Sequence, residues 1–324
     1  MMEARRVLAA FDALAVGDAL GMPTDFMTRA EICARFGLVD RLLTPAQSQH
    51  HRNLPFASVT DDTEQNLYLY RLYRRKGCVD AAETARQLLL WMEETDACQK
   101  GYIGPSSRAA LTALQNGTDI ELAGRKGTTC GGVMRTPAAV LYAPHRSADD
   151  LTRDIHACLL CTHNTGEALE AAGAYGFALA AAVTGADMEE IVQHELLGEQ
   201  RLMTMAPEIN CAPSTAARIR ELSQRAGESS VDELLFRLYS VYGTGLPSAD
   251  VAGAAFGIFF AARGDVWKAL RMGASVGGDT DTIAALAGAL CAAYAGRTNI
   301  PVPVRAAVFE HNPILNGPPW EAQE

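Results

Sequence analysis

Gly277-Gly278-Asp279-Thr280-Asp281-Thr282 runs directly into Ile283-Ala-Ala-Leu-Ala-Gly-Ala-Leu-Cys-Ala-Ala-Tyr-Ala295. Paired glycines let the backbone turn sharply and approach a neighbour closely. An Asp/Thr start then opens an apolar run rich in Ala, the strongest helix former. The run is shorter than the roughly 18 or more apolar residues of a membrane span, so it predicts a buried helix. Thr60-Asp61-Asp62-Thr63 has nearly the same chemistry and also opens a helical segment, more than 200 positions earlier.

Working outward, helical signals recur along the chain. Thr28-Arg-Ala-Glu31 reads as a capping box with Gly37 as its stop. The segment from 60 ends at Gly77, Asp80 with Glu83 starts another, and Pro105-Ser-Ser-Arg108 begins one ending at Asn116-Gly117. Further helices are expected over 147–161, 165–184, 187–197, 213–226, 231–242, 248–263, 265–275 and 281–295. Alternating β-branched runs are nearly absent, and only short pieces such as Ala138-Ala-Val-Leu-Tyr142 could extend. No linker, fixed-period repeat or low-complexity segment interrupts the pattern. The expectation is an all-α fold, one compact orthogonal helical domain over 1–324.

Composition narrows the class. The 324 residues are 48% hydrophobic and 20% charged, ordinary for a globular chain. With no cleavable leader and no run read as a membrane span, the expected location is cytoplasmic and no membrane partner is expected. Net charge is −10 with no basic run, which argues against non-specific nucleic-acid binding. The eight cysteines form no paired framework, as suits a reducing compartment. Cys158-Leu-Leu-Cys161 has metal-type spacing but no second pair, so core packing is the preferred reading over zinc.

The acidic clusters carry the chemistry. Each taken alone reads as a helix cap. One Asp suffices for that, and adjacent Asp61 and Asp62 diverge by about 100° around a helix, enough to face two ions or an ion and a substrate. Asp279 and Asp281 could bracket a cation, with Thr282 adding a hydroxyl. Together the clusters suggest one binuclear site. They offer oxygen ligands with no His or Cys beside them in sequence, which selects Mg²⁺, Mn²⁺ or Ca²⁺ over zinc or copper.

Five motifs in order resemble the ADP-ribosylglycohydrolase family. They are Gly17-Asp18-Ala-Leu-Gly21-Met-Pro, Thr60-Asp61-Asp62-Thr63, Gly131-Gly132-Val-Met134-Arg135, Thr162-His163 and Gly277-Gly-Asp279-Thr-Asp281-Thr282. The resemblance implies an all-α fold holding two Mg²⁺ or Mn²⁺ ions, with Thr60, Asp61 and Asp62 as one half of the metal shell and Asp279, Asp281 and Thr282 as the other. It implies hydrolysis of the bond between C1″ of the distal ribose of an ADP-ribosylated substrate and its acceptor, releasing ADP-ribose. Arginine on a protein is the favoured acceptor. Asp25, Asp62 and Asp279 are the implied catalytic carboxylates. Cys130, Gly131, Gly132, Met134, His163 and Ser106 are the implied substrate contacts, with Ser107 as an alternative to Ser106. Arg135 reads either as part of the site or as a structural ion-pair partner.

Two departures stand out. Cys130 replaces the family's common Asn, and Asp25 replaces a common Glu, one methylene longer. They keep two alternatives open: hydrolysis of a small ADP-ribosyl or nucleoside-type metabolite, and a non-catalytic binding or toxin-blocking relative.

Overall fold

Asp18, one acid inside an apolar helix, shows how this chain builds its interior. Its carboxylate is fully buried and accepts the Thr60 N–H at 2.9 Å, the Thr63 N–H at 3.1 Å and both threonine hydroxyls, at 2.8 and 2.6 Å. It thus caps a helix that starts at Asp61, satisfying N–H groups that have no partner within the helix.

The computed structural model describes residues 2–144, 146–208, 212–225 and 230–320. In chain order the helices are α1 (Met2–Gly21), α2 (Arg29–Phe36), α3 (Asp61–Lys76), α4 (Ala81–Glu94), α5 (Ala97–Lys100), α6 (Pro105–Gln115), α7 (Ile120–Ala123), α8 (Gly131–Leu141) and α9 (Ala148–Leu159). They continue with α10 (Gly166–Thr184), α11 (Met188–Met203), α12 (Thr215–Gln224), α13 (Val231–Arg237), α14 (Ser248–Ala262), α15 (Val266–Ser275), α16 (Thr280–Ala295) and α17 (Val302–His311). Among the described residues there is no strand, only an isolated bridge between Thr129 and Pro247, so the all-α expectation holds. The expected capping box of Thr28 and Glu31 is present. The helix expected over 187–197 runs on to Met203, and that over 231–242 gives way to a π turn, Leu238–Tyr242, after Arg237. Position 226, the expected end of α12, and Cys211 lie outside the described residues.

The piece at 138–142, able to extend on sequence grounds, is helical through Leu141. Pro137 inside α8 would ordinarily weaken the helix there. Asn66 compensates: the Ala138 N–H donates to its Oδ1 at 2.9 Å, while its Nδ2 donates to the Met134 carbonyl at 2.8 Å. One side-chain amide thereby bridges the 138-to-134 rung of the helical ladder.

The chain folds as two compact units. The first comprises Met1–Thr63, Ala217–Leu246 and Asp250–Glu324; the second comprises Glu64–Ala216 and Pro247–Ala249. In the first, α1 packs on α16 through small residues. A Cβ on Gly17 would lie 2.6 Å from the Ala284 carbonyl oxygen, and one on Gly21 would lie 2.4 Å from that of Thr280. In the second, α10 and α11 meet at Gly173 and Gly198 in the same way.

Contrary to the composition-based expectation, Met2–Thr24 is long and apolar enough to cross a membrane, with mean hydropathy 1.3. Asp18 and the interleaved polar residues hid this in a reading by runs. The fold buries 89% of that window, the environment of a core helix.

Gly17→Ala should destabilise the protein. Helix propensity gains about 1 kcal/mol, but pushing two backbones apart costs about 1–3 kcal/mol. The denaturant midpoint is expected to fall; a rise would show that α1 and α16 can separate freely.

Candidate metal centre

All six residues expected to hold metal belong to the first unit, where the first turn of α3 and the start of α16 present them. Because Asp18 caps α3, Asp61 and Asp62 are released from that duty. Asp279 is the N-cap residue of α16, yet its side chain makes no capping bond. Gly277 and Gly278 both have positive φ, 85° and 82°. A Cβ on Gly278 would sit 2.1 Å from the Thr244 carbonyl oxygen, which accepts the Asp279 N–H at 2.8 Å. Only glycine fits this turn.

The carboxylates converge. Ligand atoms of Asp18, Asp62 and Asp281 lie within 4.8 Å of one another, and so do those of Asp25, His51 and Asp281. Asp281 belongs to both groups. The Thr282 hydroxyl donates to Asp62 Oδ2 at 3.3 Å. The Thr60 hydroxyl donates to Asp18 Oδ1 at 2.8 Å. Asp61 and Asp279 are buried and act electrostatically on Asp25 and Asp62.

Two members escaped the sequence reading. Asp18 stood in a quoted motif without a role; an acid set among the small and apolar residues of 13–21 was the available signal. His51 lies in a loop with no motif, and the fold brings its imidazole to the oxygen donors of the two clusters. Ser48 builds that loop by accepting the N–H groups of His50 and His51 at 3.2 and 2.9 Å. The ring then reaches Asp25, with Nε2 3.1 Å from Oδ2. Asp25 follows a short 3₁₀ turn, Met22–Thr24, and Phe26 beyond it is held at φ 56° while its N–H donates to the Gly278 carbonyl at 2.8 Å.

Burial, followed by repulsion from Asp281, raises Asp18 to about 7 and lifts Asp25 and Asp62 well above the ordinary carboxylate range. Burial and Asp279 raise Asp281 to about 7, and His51 opposes that rise. The metal-free centre is thus an electrostatically unfavourable set of oxygen donors, which is the chemistry that divalent cations relieve.

The second unit holds the other motif residues. Arg135 is fully buried; its Nε donates to Gln65 Oε1 at 3.0 Å, Nη2 to Ser107 Oγ at 2.8 Å and Nη1 to Thr162 Oγ1. The hydrogen-bond partners are neutral side chains, so these contacts are not the ion pair of its structural reading. The Thr162 hydroxyl also bonds His163 Nδ1 at 2.9 Å, and His163 Nε2 meets Thr129 Oγ1 at 3.1 Å. With its ring wholly buried and both nitrogens engaged, His163 supports the glycine turn instead of offering a polar atom. A Cβ on Gly131 would lie 2.9 Å from His163 Cε1 and 3.0 Å from Ser107 Oγ; one on Gly132 would lie 3.0 Å from His163 Cβ. Ser107 joins this network, whereas Ser106 is half-buried in the first turn of α6. Cys130 precedes α8 and makes no capping bond through its side chain, and Met134 is core. Burial pushes Cys158 up to about 12 and Cys161 up to about 11, so both remain thiols packed in the interior, not thiolate ligands.

The class defined here is an all-helical protein with a buried polycarboxylate centre assembled from both ends of its chain. It belongs to the ADP-ribosylglycohydrolase family, whose model matches residues 2–318. The chain is 30% identical over 321 residues to the uncharacterized protein YegU of Escherichia coli K12, covering 97% of this chain and 94% of that one. It is 32% identical over 165 residues to the ADP-ribosyl-[dinitrogen reductase] glycohydrolase of Rhodospirillum rubrum, covering 49% of this chain and 51% of that one. A solved structure titled ADP-ribosylglycohydrolase-related protein complex superposes with a TM-score of 0.67 at 26% identity, over 96% of each chain.

Proposed function

We propose that this protein is a divalent-metal-dependent hydrolase of the glycosidic bond joining ADP-ribose to an acceptor. An ADP-ribosylated arginine side chain is the favoured substrate, and one cytoplasmic domain over 1–324 is the acting unit. The observation that carries the reading is the shared position of Asp281 in two buried ligand groups, in a chain of this family.

Two Mg²⁺ or Mn²⁺ ions fit this donor set, held by Asp62, Asp279 and Asp281 with Asp18, Asp61, Thr60 and Thr282 around them. When bound they would supply Lewis acidity and neutralise the carboxylates. Asp62 and Asp279 orient the ribose hydroxyls by accepting their hydrogen bonds. One carboxylate oxygen of Asp25, the other being left to hold the ion, takes a proton from the attacking water as the water oxygen bonds C1″ and the C1″–N bond breaks; that proton then passes to the departing guanidine nitrogen.

The test is a hydrolysis panel of ADP-ribosyl-arginine, ADP-ribosyl-serine and ADP-ribosylated nucleic acid, each with Mg²⁺ or Mn²⁺ and with chelator. Metal-dependent release of ADP-ribose, fastest from the arginine conjugate, is expected. No release from any of them would refute the hydrolase reading, and tight ADP-ribose binding without release would favour a binding protein.

A further inference from the structure

Resting on that metal-centre reading, we infer that His51 is a metal ligand, so that one half of the centre is a mixed nitrogen–oxygen subsite formed by Asp25, His51 and Asp281.

Geometry comes first. One ligand atom from each of these three side chains lies within 4.8 Å of the other two. Asp25 and His51 are 3% and 5% exposed. Asp25 Oδ1 and His51 Nδ1 are buried with no hydrogen-bond partner. Polar atoms so buried normally have partners, and an orphan costs about 1–3 kcal/mol. The orphaned Asp25 oxygen, on a side chain grouped with Asp281, is accounted for if a cation gathers the three side chains.

The imidazole is held in place by its loop. The Ser48 contacts to the backbone of 50 and 51 fix the loop that carries it.

The second group, Asp18, Asp62 and Asp281, has oxygen donors alone. The two halves therefore differ in ligand type. Oxygen donors suit Mg²⁺, whereas an imidazole favours first-row transition ions. The consequence is a centre with one half indifferent between Mg²⁺ and Mn²⁺ and one half that prefers Mn²⁺.

The test uses Mn²⁺ as the probe, on the full chain loaded with two equivalents. Pulsed electron paramagnetic resonance of the wild type should show ¹⁴N modulation from a coordinated imidazole, and His51→Gln should lose it. By titration calorimetry, the preference of the wild type for Mn²⁺ over Mg²⁺ should fall on the order of tenfold in His51→Gln. Wild type that binds Mn²⁺ without ¹⁴N modulation overturns the assignment and leaves the metal centre standing. Retention of the modulation in a folded His51→Gln protein overturns it too. Wild type that takes up no divalent ion removes the metal centre and this subsite together. The wild-type spectrum decides even if the variant does not fold.

Discussion

Asp281→Asn should remove turnover and, in the same protein, raise the stability of the metal-free fold. Asp281 stands in both ligand groups, so its loss weakens both halves at once. Hydrolysis is expected to fall by at least about a thousandfold, as when a principal electrostatic element is removed from an active site. Asn has nearly the same shape, so packing is preserved while one buried charge disappears. The metal-free carboxyl is raised to about 7 by burial and Asp279. Between pH 4 and 7 the folded wild type holds a proton there that the unfolded chain has released. Its stability therefore declines as the pH rises through that window. Asn lacks this dependence. In chelator the variant should melt above the wild type at pH 8, by about 2–4 kcal/mol of stability, and the gap should close toward pH 5. Calorimetry with and without Mn²⁺ measures both effects. A variant that melts below the wild type at pH 8 would show that the cluster is not under repulsion.

Arg135→Ala should be the most damaging change in the second unit. Two effects compete. Removing a buried guanidinium recovers a desolvation cost of several kcal/mol. Against that, three charge-assisted hydrogen bonds are lost, to Gln65, Ser107 and Thr162, each worth about 1.5–3 kcal/mol. The truncation also leaves a cavity in a site with no exposed surface, costing about 24 cal/mol per Å³. The bonds and the cavity together outweigh the charge, for a net loss of about 3–5 kcal/mol. Arg135→Met, which fills most of the volume, should lose less than Ala. Denaturant midpoints of the three proteins give the order. An Ala variant within about 1 kcal/mol of wild type would mean that the charge costs as much as its bonds return.

Elements with local causes were legible in the sequence. The boxes at Thr28–Glu31 and Asp187–Glu190, and Gly185 and Gly296 at helix ends, mark helices through neighbours three or four residues away. The course of α8 through Pro137 was not legible, because its missing rung is bridged by Asn66, 72 positions from Ala138. The centre shows the same division. The acidic pairs announced themselves by composition. Asp18 stood in a motif without a role, because its partners Thr60 and Thr63 lie 42 and 45 positions away. His51 had no local signal, since only the fold brings it to Asp25.

The close packing of α1 on α16 also sets an order of events during synthesis. The Gly21 carbonyl waits for the Thr280 hydroxyl, 259 positions later. At about 5–20 residues per second, a ribosome needs roughly 13–50 s to deliver that partner. Through that interval the apolar face of the first helix is without its permanent cover. The carboxylate centre can close only when Asp279 and Asp281, in the C-terminal part of the chain, have emerged, so its assembly comes late in folding.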